Sequence, residues 1–246
     1  MNPMKNIDLS FNRPEDNLAF DEALLDLCEE GSLGETLRFW EADRPFIVAG
    51  YSNKLPSEVN LTRCREHGVP VLRRVSGGGT VLQAPGCLNY ALILRTDRGS
   101  DYTSVTRANA AIMEVHRGAL ERLIGKPVSV RGFTDLVTGG RKFSGNAQRR
   151  KRRALLFHGT FLYGMDLGAV ETYLPMPTLR PEYRADRPHG EFIANLDVTR
   201  QALCRGLIAA WDALGTLTPA ETRQAVERSA SLVEHRYARP DWVERA

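Results

Sequence analysis

The chain has 246 residues, of which 42% are hydrophobic and 26% charged, a composition typical of one large globular domain. No apolar run approaches the roughly 20 residues that cross a bilayer, and the N-terminus lacks the basic-then-apolar pattern of a signal peptide. We therefore expect a cytoplasmic protein with no membrane partner.

Cysteine spacing and charge exclude further classes of site. The cysteines are Cys28, Cys64, Cys87 and Cys204, and no pair has C-x-x-C spacing. No His/Cys cluster is typical of zinc, so we predict no metal site and a reducing compartment. The net charge is only +3, but the run 149–153 holds five consecutive cations. Such a run either meets phosphate or an acidic protein or is a solvated hairpin tip. Because nucleic-acid binding would rest on this run alone, we expect no nucleic-acid partner.

Hydrophobic periodicity and turn residues predict the elements of the fold. In chain order they are a helix over Asp16–Glu30, strands over Thr36–Trp40 and Phe46–Ala49, a helix over Pro56–Glu66, strands over Val69–Arg74, Val81–Leu82 and Leu88–Leu94, a helix over Ser104–Ile124, strands over Val128–Arg131, Asp135–Thr138, Lys142–Gln148 and Ala154–Leu162, and helices over Leu167–Tyr173 and Thr199–Leu214. Strands come in runs, which favours an α+β fold with a mixed or antiparallel β-sheet flanked by helices. We expect a main domain over residues 1–215 and a short helical C-terminal extension over 216–246.

A glycine triplet is the first motif that bears on chemistry. Gly77, Gly78 and Gly79 follow Ser76 and the pair Arg73-Arg74. Glycines leave the backbone open to a ligand, and their N–H groups can converge on an anion. A plain tight turn gives the same pattern, so the triplet alone leaves both readings open.

A polar strand follows the Gly139-Gly140 turn. Strict alternation places Lys142, Ser144, Asn146 and Gln148 on one face and Phe143, Gly145 and Ala147 on the other. That polar face is either the wall of a site or a solvent-facing edge. A two-residue turn at Gly139-Gly140 would bring Asp135 close to Lys142 on the adjoining strand.

One histidine lies in an otherwise apolar strand. His158 is followed by Gly159 and Thr160. A lone histidine there is either a hydrogen-bonded core residue or part of a site, and the segment by itself does not decide between them.

Together these segments resemble the lipoate–protein ligase and octanoyltransferase family, which is related in fold to biotin protein ligases. The resemblance runs from about Asn17 to Leu196. Its motifs, in the family's order, are Asn17-Leu18-Ala19, Arg38-Phe39-Trp40, Gly50-Tyr51-Ser52-Asn53, Arg73-Arg74-Val75-Ser76-Gly77-Gly78-Gly79, Gly140-Arg141-Lys142-Phe143-Ser144-Gly145 and His158-Gly159-Thr160. The resemblance implies a biotin/lipoate ligase-like catalytic domain.

The resemblance also implies a reaction. Lipoate or octanoate would be activated by ATP with Mg²⁺ to an acyl-AMP and transferred to a lysine of a lipoyl-domain or H-protein acceptor. The chain is too short to contain the full accessory domain of the larger ligases. A separate accessory-domain protein is therefore a further candidate partner.

Site residues are carried over by the same resemblance. Lys142 would be catalytic, because a fixed ammonium stabilises the charge that develops as the acyl carboxylate joins phosphate and AMP leaves. The substrate- and nucleotide-binding candidates are Arg74, Ser76, Gly77, Gly78, Gly79, Val81, Asp135, Ser144, Gly145, Arg149, His158, Gly159 and Thr160. Gln83 and Ala84 replace a His-Asp pair that many family ligases carry, which puts detailed nucleotide contacts in doubt.

The family has a second, ATP-independent chemistry in which octanoyl is carried as a thioester on cysteine. Residues 126–135 contain no cysteine, and Met176 stands in the loop where another branch has one. Cys87 is close to a motif, but a small buried residue at the start of a strand explains it. We therefore favour adenylation over transfer. A non-catalytic lipoate-binding domain is a third reading, against which the retention of Lys142 argues.

Overall fold

The computed structural model describes residues 3–245. The strands are β1 (Lys5–Asp8), β2 (Thr36–Trp40), β3 (Phe46–Ala49), β4 (Val71–Arg73), β5 (Val81–Gln83), β6 (Cys87–Arg95), β7 (Ser129–Arg131), β8 (Asp135–Thr138), β9 (Arg141–Arg150), β10 (Ala154–Leu162) and β11 (Gly215–Thr216). The helices are α1 (Pro14–Glu30), α2 (Leu55–Glu58), α3 (Leu61–Glu66), α4 (Val105–Ile124), α5 (Gly168–Tyr173), α6 (His189–Phe192), α7 (Arg200–Trp211), α8 (Pro219–Leu232) and α9 (Pro240–Val243). Within 3–245, no helix is both long and apolar enough to cross a bilayer.

The main sheet has eight strands in the order β11-β1-β2-β6-β10-β9-β8-β7. The pairs of β1 with β11 and with β2 are parallel, whereas the pairs from β2 through to β7 are antiparallel. This arrangement confirms the predicted α+β class with a mixed sheet flanked by helices.

Each face of the main sheet is covered by a different pair of helices. Apolar side chains of α4 and α7 pack with Phe143, Phe157 and Tyr90 on one face. Leu24 of α1 and Ala225 of α8 belong to a cluster on the other face. The central strands are therefore buried on both sides, which accounts for the continuous apolar runs of β6 and β10.

A second sheet carries the glycine triplet. Its strands lie in the order β4-β3-β5, with β3 and β4 parallel and β3 and β5 antiparallel. The segment 74–80 connects β4 to β5 and is called the glycine loop below. Phe46, Val48, Leu72 and Val75 pack this sheet onto Trp40 of β2, so the loop is held against the main sheet.

Several boundaries differ from the sequence expectations. The helix predicted over Pro56–Glu66 is two short helices, because the Asn60 side chain accepts from the Arg63 N–H and caps α3. The strands β1 and β11 at one end of the main sheet were not predicted; each is short, and β1 is held extended by pairing on both sides. Beyond α8, residues Val233–Tyr237 continue as a π-helical turn. The domain boundary at 215/216 falls inside β11 and stays a prediction.

Candidate functional site

A β-bulge decides which way Lys142 faces. In the pairing of β8 with β9, Leu136 lies opposite Ser144 and Val137 opposite Lys142, so Phe143 is an extra residue. Phe143 and Leu136 lie in the α4-side core cluster. Lys142 instead lies against Gly145, where an added Cβ would be 2.8 Å from the Lys142 Nζ. The expectation that Lys142 shares a face with Ser144 and Asn146 is therefore wrong, because the bulge interrupts the alternation.

Lys142 forms an ion pair beside the hairpin turn. Its Nζ lies 2.7 Å from the Asp135 Oδ1, and the Tyr183 hydroxyl donates to the Asp135 Oδ2 at 2.7 Å. Gly139 and Gly140 have φ values of 55° and 77°, the left-handed conformation that a two-residue hairpin turn requires. The predicted proximity of Asp135 and Lys142 is confirmed. Burial and the Asp135 charge raise the pKa of the Tyr183 hydroxyl, which keeps it a donor.

Arg74 organises the glycine loop from inside. Its Nη2 donates to the carbonyl oxygens of Gly77 at 2.6 Å and Gly79 at 2.8 Å, and its Nε donates to the Ser76 Oγ at 3.0 Å. Burial lowers the Arg74 pKa to about 10, which still leaves the guanidinium charged at neutral pH. In this structure Arg74 holds the shape of the loop.

The loop presents unpaired backbone donors. Within residues 3–245, the N–H groups of Gly77, Gly78 and Gly79 donate to no protein acceptor, and the buried Thr80 hydroxyl has no partner. Gly78 has a φ of 88°, and an added Cβ would be 3.0 Å from the Arg74 Nη2 and 3.8 Å from the Ala147 Cβ. A side chain at Gly78 would therefore be strained and crowded. Consecutive unpaired amides form a cradle for an anion.

The loop is tied to β10 by a partly buried polar contact. The Ser76 Oγ lies 2.5 Å from the His158 Nε2. On the other side of the ring, the His158 Nδ1 lies 3.6 Å from the Asp21 Oδ2. Asp21 in turn accepts from the Arg38 Nη1 at 2.6 Å. His158 is thus both half-buried in a strand and part of the candidate site.

Arg149 lies near the end of β9 that is farther from Lys142. Its guanidinium lies 5.9 Å from the centre of the Tyr51 ring, and that of Arg245 lies 4.1 Å from the same ring. Tyr51 donates its N–H to the Ser76 carbonyl at 2.8 Å, so the Tyr51 backbone borders the glycine loop. Within residues 3–245, neither arginine forms a salt bridge.

The C-terminal segment braces the same region through Arg73. Buried Arg73 donates to the carbonyls of Gly50, Tyr51 and Asn53, and also to those of Val243 and Arg245. Trp242 donates its indole N–H to the Arg73 carbonyl at 3.0 Å and packs edge-on against Tyr51.

The remaining predicted residues have packing roles in this structure. An added Cβ at Gly159 would be 1.8 Å from the Asn146 Oδ1, so only glycine fits there. The Thr160 hydroxyl accepts from Gln83 and donates to Asn89, joining the two sheets. Val81 packs on the cluster beneath the loop. Ser144 contacts Asn146 on the α4 face, so it is not brought to the other candidates.

All four cysteines are buried away from these groups. Burial raises the pKa of Cys87 and of Cys28 to about 12 and that of Cys204 to about 11, and it also raises the Cys64 pKa. The Cys87 thiol contacts the Met165 sulfur at 3.1 Å inside an apolar cluster. Such thiols are poor nucleophiles near neutral pH.

A cleft of about 340 Å³ opens beside Tyr183, the residue that donates to Asp135. Its lining includes Val137, Tyr183 and the two cations Arg131 and Arg187. Within residues 3–245, no group of three or more His, Cys, Asp and Glu side chains is arranged to hold a metal ion.

Two residues of this geometry were not foreseen as site residues. Asp21 sits in a helix whose apolar face was the visible signal, although Asn17 four residues earlier belongs to a family motif. Tyr183 lies between Pro181 and Pro188 and carried no periodic signal. Tyr183 and its partner Asp135 are 48 residues apart, and Asp21 and Arg38 are 17 apart, so neither contact follows from local spacing.

This chain is similar to known proteins in sequence. The sequence profile described as "Lipoyl protein ligase A/B catalytic domain" matches residues 13–210. The chain is 27% identical to octanoyltransferase LipM of Brevibacillus brevis, over 93% of this chain and 94% of that protein. It is 30% identical to lipoate-protein ligase A subunit 1 of Thermoplasma acidophilum, over 77% of each chain.

The fold is also that of a solved structure. A crystal structure of lipoate-protein ligase A bound with ATP superposes with a TM-score of 0.82 and 22% identity, over 98% of each chain. At this identity the likeness concerns the fold, whereas the profile match covers most of the sequence. The chain therefore belongs to the lipoyl protein ligase A/B catalytic-domain family of lipoate ligases and octanoyltransferases.

Proposed function

We propose that this protein activates lipoate or octanoate with ATP to an acyl-AMP and transfers the acyl group to a lysine of an acceptor protein. The acceptor would be of the lipoyl-domain or H-protein type. The family includes both ATP-dependent ligases and octanoyltransferases. We propose the ATP-dependent ligase reaction for this protein.

The state of the cysteines is the observation that carries the choice. A thioester route needs an accessible thiolate, whereas all four thiols here are buried and their pKa values are raised. At pH 8 a thiol with a pKa of about 12 is ionised to roughly one part in ten thousand. Activation of the carboxylate by adenylation needs no protein nucleophile, and it is therefore the chemistry that these residues support.

The glycine loop and Lys142 have the donors that adenylation requires. The unpaired amides of Gly77–Gly79 suit the phosphates of a nucleotide, and the open space at Gly77 and Gly79 lets a ligand approach the backbone. We assign Lys142 to the acyl carboxylate and the transferring phosphate, where its ammonium stabilises developing charge. Arg149 is assigned to the same anionic group from the other end of β9.

Magnesium fits the proposal as part of the nucleotide. Mg²⁺ is commonly held by substrate phosphates and water with one or two carboxylates, so it does not require a protein cage. Asp135 is the acidic side chain nearest Lys142, but it is already engaged by Lys142 and Tyr183. The ion would therefore be bound through ATP.

The deciding experiment mixes the purified protein with ATP and either lipoate or octanoate and measures pyrophosphate release. A lipoyl domain is then added, and acylation of its lysine is followed by mass spectrometry. We expect pyrophosphate release that depends on the acyl acid, and acylation that depends on ATP. If acyl-AMP forms but does not reach the acceptor, addition of a separate accessory-domain protein tests for the further partner.

Octanoyl transfer without ATP is the second candidate, because relatives along nearly the whole chain are named octanoyltransferase. Octanoyl-acyl-carrier protein is offered as donor with and without nucleotide. Acylation that proceeds equally well without ATP would establish this candidate and remove the ligase proposal. Binding of lipoate with neither reaction would leave a lipoate-binding domain.

A further inference from the structure

A buried polar chain connects α1 and β2 to the glycine loop. Arg38 is fully buried and donates to the Asp21 Oδ1 at 2.6 Å. Asp21 faces the imidazole of His158 at 3.6 Å, and that imidazole contacts Ser76 at 2.5 Å. Asp21 and Ser76 are 2% and 1% exposed, so this polar chain of side chains is largely shielded from water. It joins two sequence motifs, around Asn17 and Arg38, that the proposed reaction does not otherwise use.

Hydrogen-bond accounting selects one tautomer of His158. Ser76 already accepts from the Arg74 Nε at 3.0 Å, so its hydroxyl proton needs an acceptor. Within residues 3–245, the acceptor in reach is the His158 Nε2. That contact is satisfied when Nε2 carries the lone pair and the proton lies on Nδ1. A proton on Nε2 would leave the buried Ser76 hydroxyl without an acceptor, at a cost typical of an unsatisfied polar group.

We propose that Asp21 is a positioning residue that holds His158 in the Nδ1-protonated tautomer and thereby fixes Ser76 and the glycine loop on β10. The 3.6 Å separation is longer than a hydrogen bond, so the carboxylate acts mainly by its charge on the Nδ1–H. The other charged groups facing this chain are Arg38, which binds Asp21 from β2, and Arg74, which binds Ser76 from the loop. The catalytic consequence rests on the proposed function; the position of the proton does not.

Asp21→Asn tests the tautomer directly. Arg38 would continue to donate to the amide oxygen, which turns the amide NH₂ toward the His158 Nδ1 and favours the proton on Nε2. Nitrogen-15 NMR of labelled histidine reports the tautomer, and hydrogen exchange of the Gly77–Gly79 amides reports the order of the loop. We expect the Nε2-protonated tautomer and about tenfold faster exchange of the three glycine amides. A folded variant that keeps the Nδ1-protonated tautomer would overturn the proposal.

Asp26→Asn is the matched control on the same helix. The Asp26 Oδ1 lies 2.5 Å from the Lys151 Nζ, and Asp26 contacts no member of the buried polar chain. We expect this variant to have the same His158 tautomer as the unmodified protein and the same hydrogen-exchange rates at the Gly77–Gly79 amides.

Ser76→Ala keeps the test open if Asp21→Asn does not fold. It removes the hydroxyl that donates to the His158 Nε2. The proton then stays on Nδ1 only if Asp21 holds it there. Retention of the Nδ1-protonated tautomer is expected, and a shift to Nε2 would overturn the proposal. When Asp21→Asn is combined with Ser76→Ala, hydrogen exchange of the Gly77–Gly79 amides should be no faster than in Ser76→Ala alone. Additive acceleration would show that Asp21 does not act through Ser76.

Steady-state kinetics tests whether the buried polar chain affects the reaction. If the loop binds the nucleotide or acyl group, Asp21→Asn should raise KM for that substrate about tenfold while kcat changes less. A fall in melting temperature with unchanged KM would contradict the positioning role. If the unmodified protein shows no ligase or transferase activity, the proposed function fails, whereas the NMR and exchange results still decide the role of Asp21.

Discussion

Replacement of Lys142 by alanine tests the centre of the proposed function. The Lys142 and Asp135 side chains are 26% and 16% exposed, and their charged atoms lie 2.7 Å apart. Partly exposed pairs of this kind contribute about 1 kcal/mol or less to stability, and Asp135 keeps its bond from Tyr183. We therefore expect Lys142→Ala to fold with a melting temperature within a few degrees of the unmodified protein.

The expected loss is in the rate. Removal of one preorganised group that stabilises developing charge lowers the rate about 100-fold or more, which corresponds to about 2.7 kcal/mol in the barrier. Lys142→Arg should not rescue, because the ammonium lies against Gly145 and a forked guanidinium does not fit the same space. The assay is single-turnover formation of acyl-AMP and its transfer to a lipoyl domain, measured separately.

Lys151→Ala is the matched control, at the residue that directly follows β9. Lys151 pairs with Asp26 at 2.5 Å, and the two side chains are 32% and 14% exposed, much as for Lys142 and Asp135. This variant should lose as little stability as Lys142→Ala and keep both rates. A folded Lys142→Ala protein with near-normal rates in both steps would refute the role of Lys142 and leave lipoate binding as the better reading.

Three further predictions concern other parts of the chain. Cys87→Ser should keep activity within about tenfold, because the buried thiol has a pKa of about 12; a trapped thioester at Cys87 would contradict this. Trp242→Ala, which removes the donor to the Arg73 carbonyl, should raise KM more than it lowers kcat; unchanged KM would show that this brace does not reach the site. Burial lowers the His116 pKa from 6.5 to about 3, so the unfolded chain binds a proton first as pH falls. Stability should therefore decrease by about 2 kcal/mol from pH 7 to pH 5 in urea titrations, and His116→Asn should flatten that slope.

Much of the fold follows from local pattern. The α4 helix was predicted almost to its ends, because apolar residues recur at helical spacing. In the structure Gly125 ends it in the left-handed conformation. The Gly139-Gly140 turn and the closeness of Asp135 to Lys142 were predicted correctly, because a two-residue hairpin fixes which residues face each other. The strands β1 and β11 were missed because their few residues carry no pattern of their own.

The sequence by itself determined the order of the longer elements, the glycine loop and the family, since these depend on residue type, period and motif spacing. Only the tertiary structure decided which face Lys142 occupies, because the bulge arises where Phe143 buries itself in the core opposite Leu136. Likewise, only the packing of α1 against the main sheet brings Asp21 to His158. No local pattern specifies such contacts, because they depend on the spatial approach of segments that lie far apart in the chain.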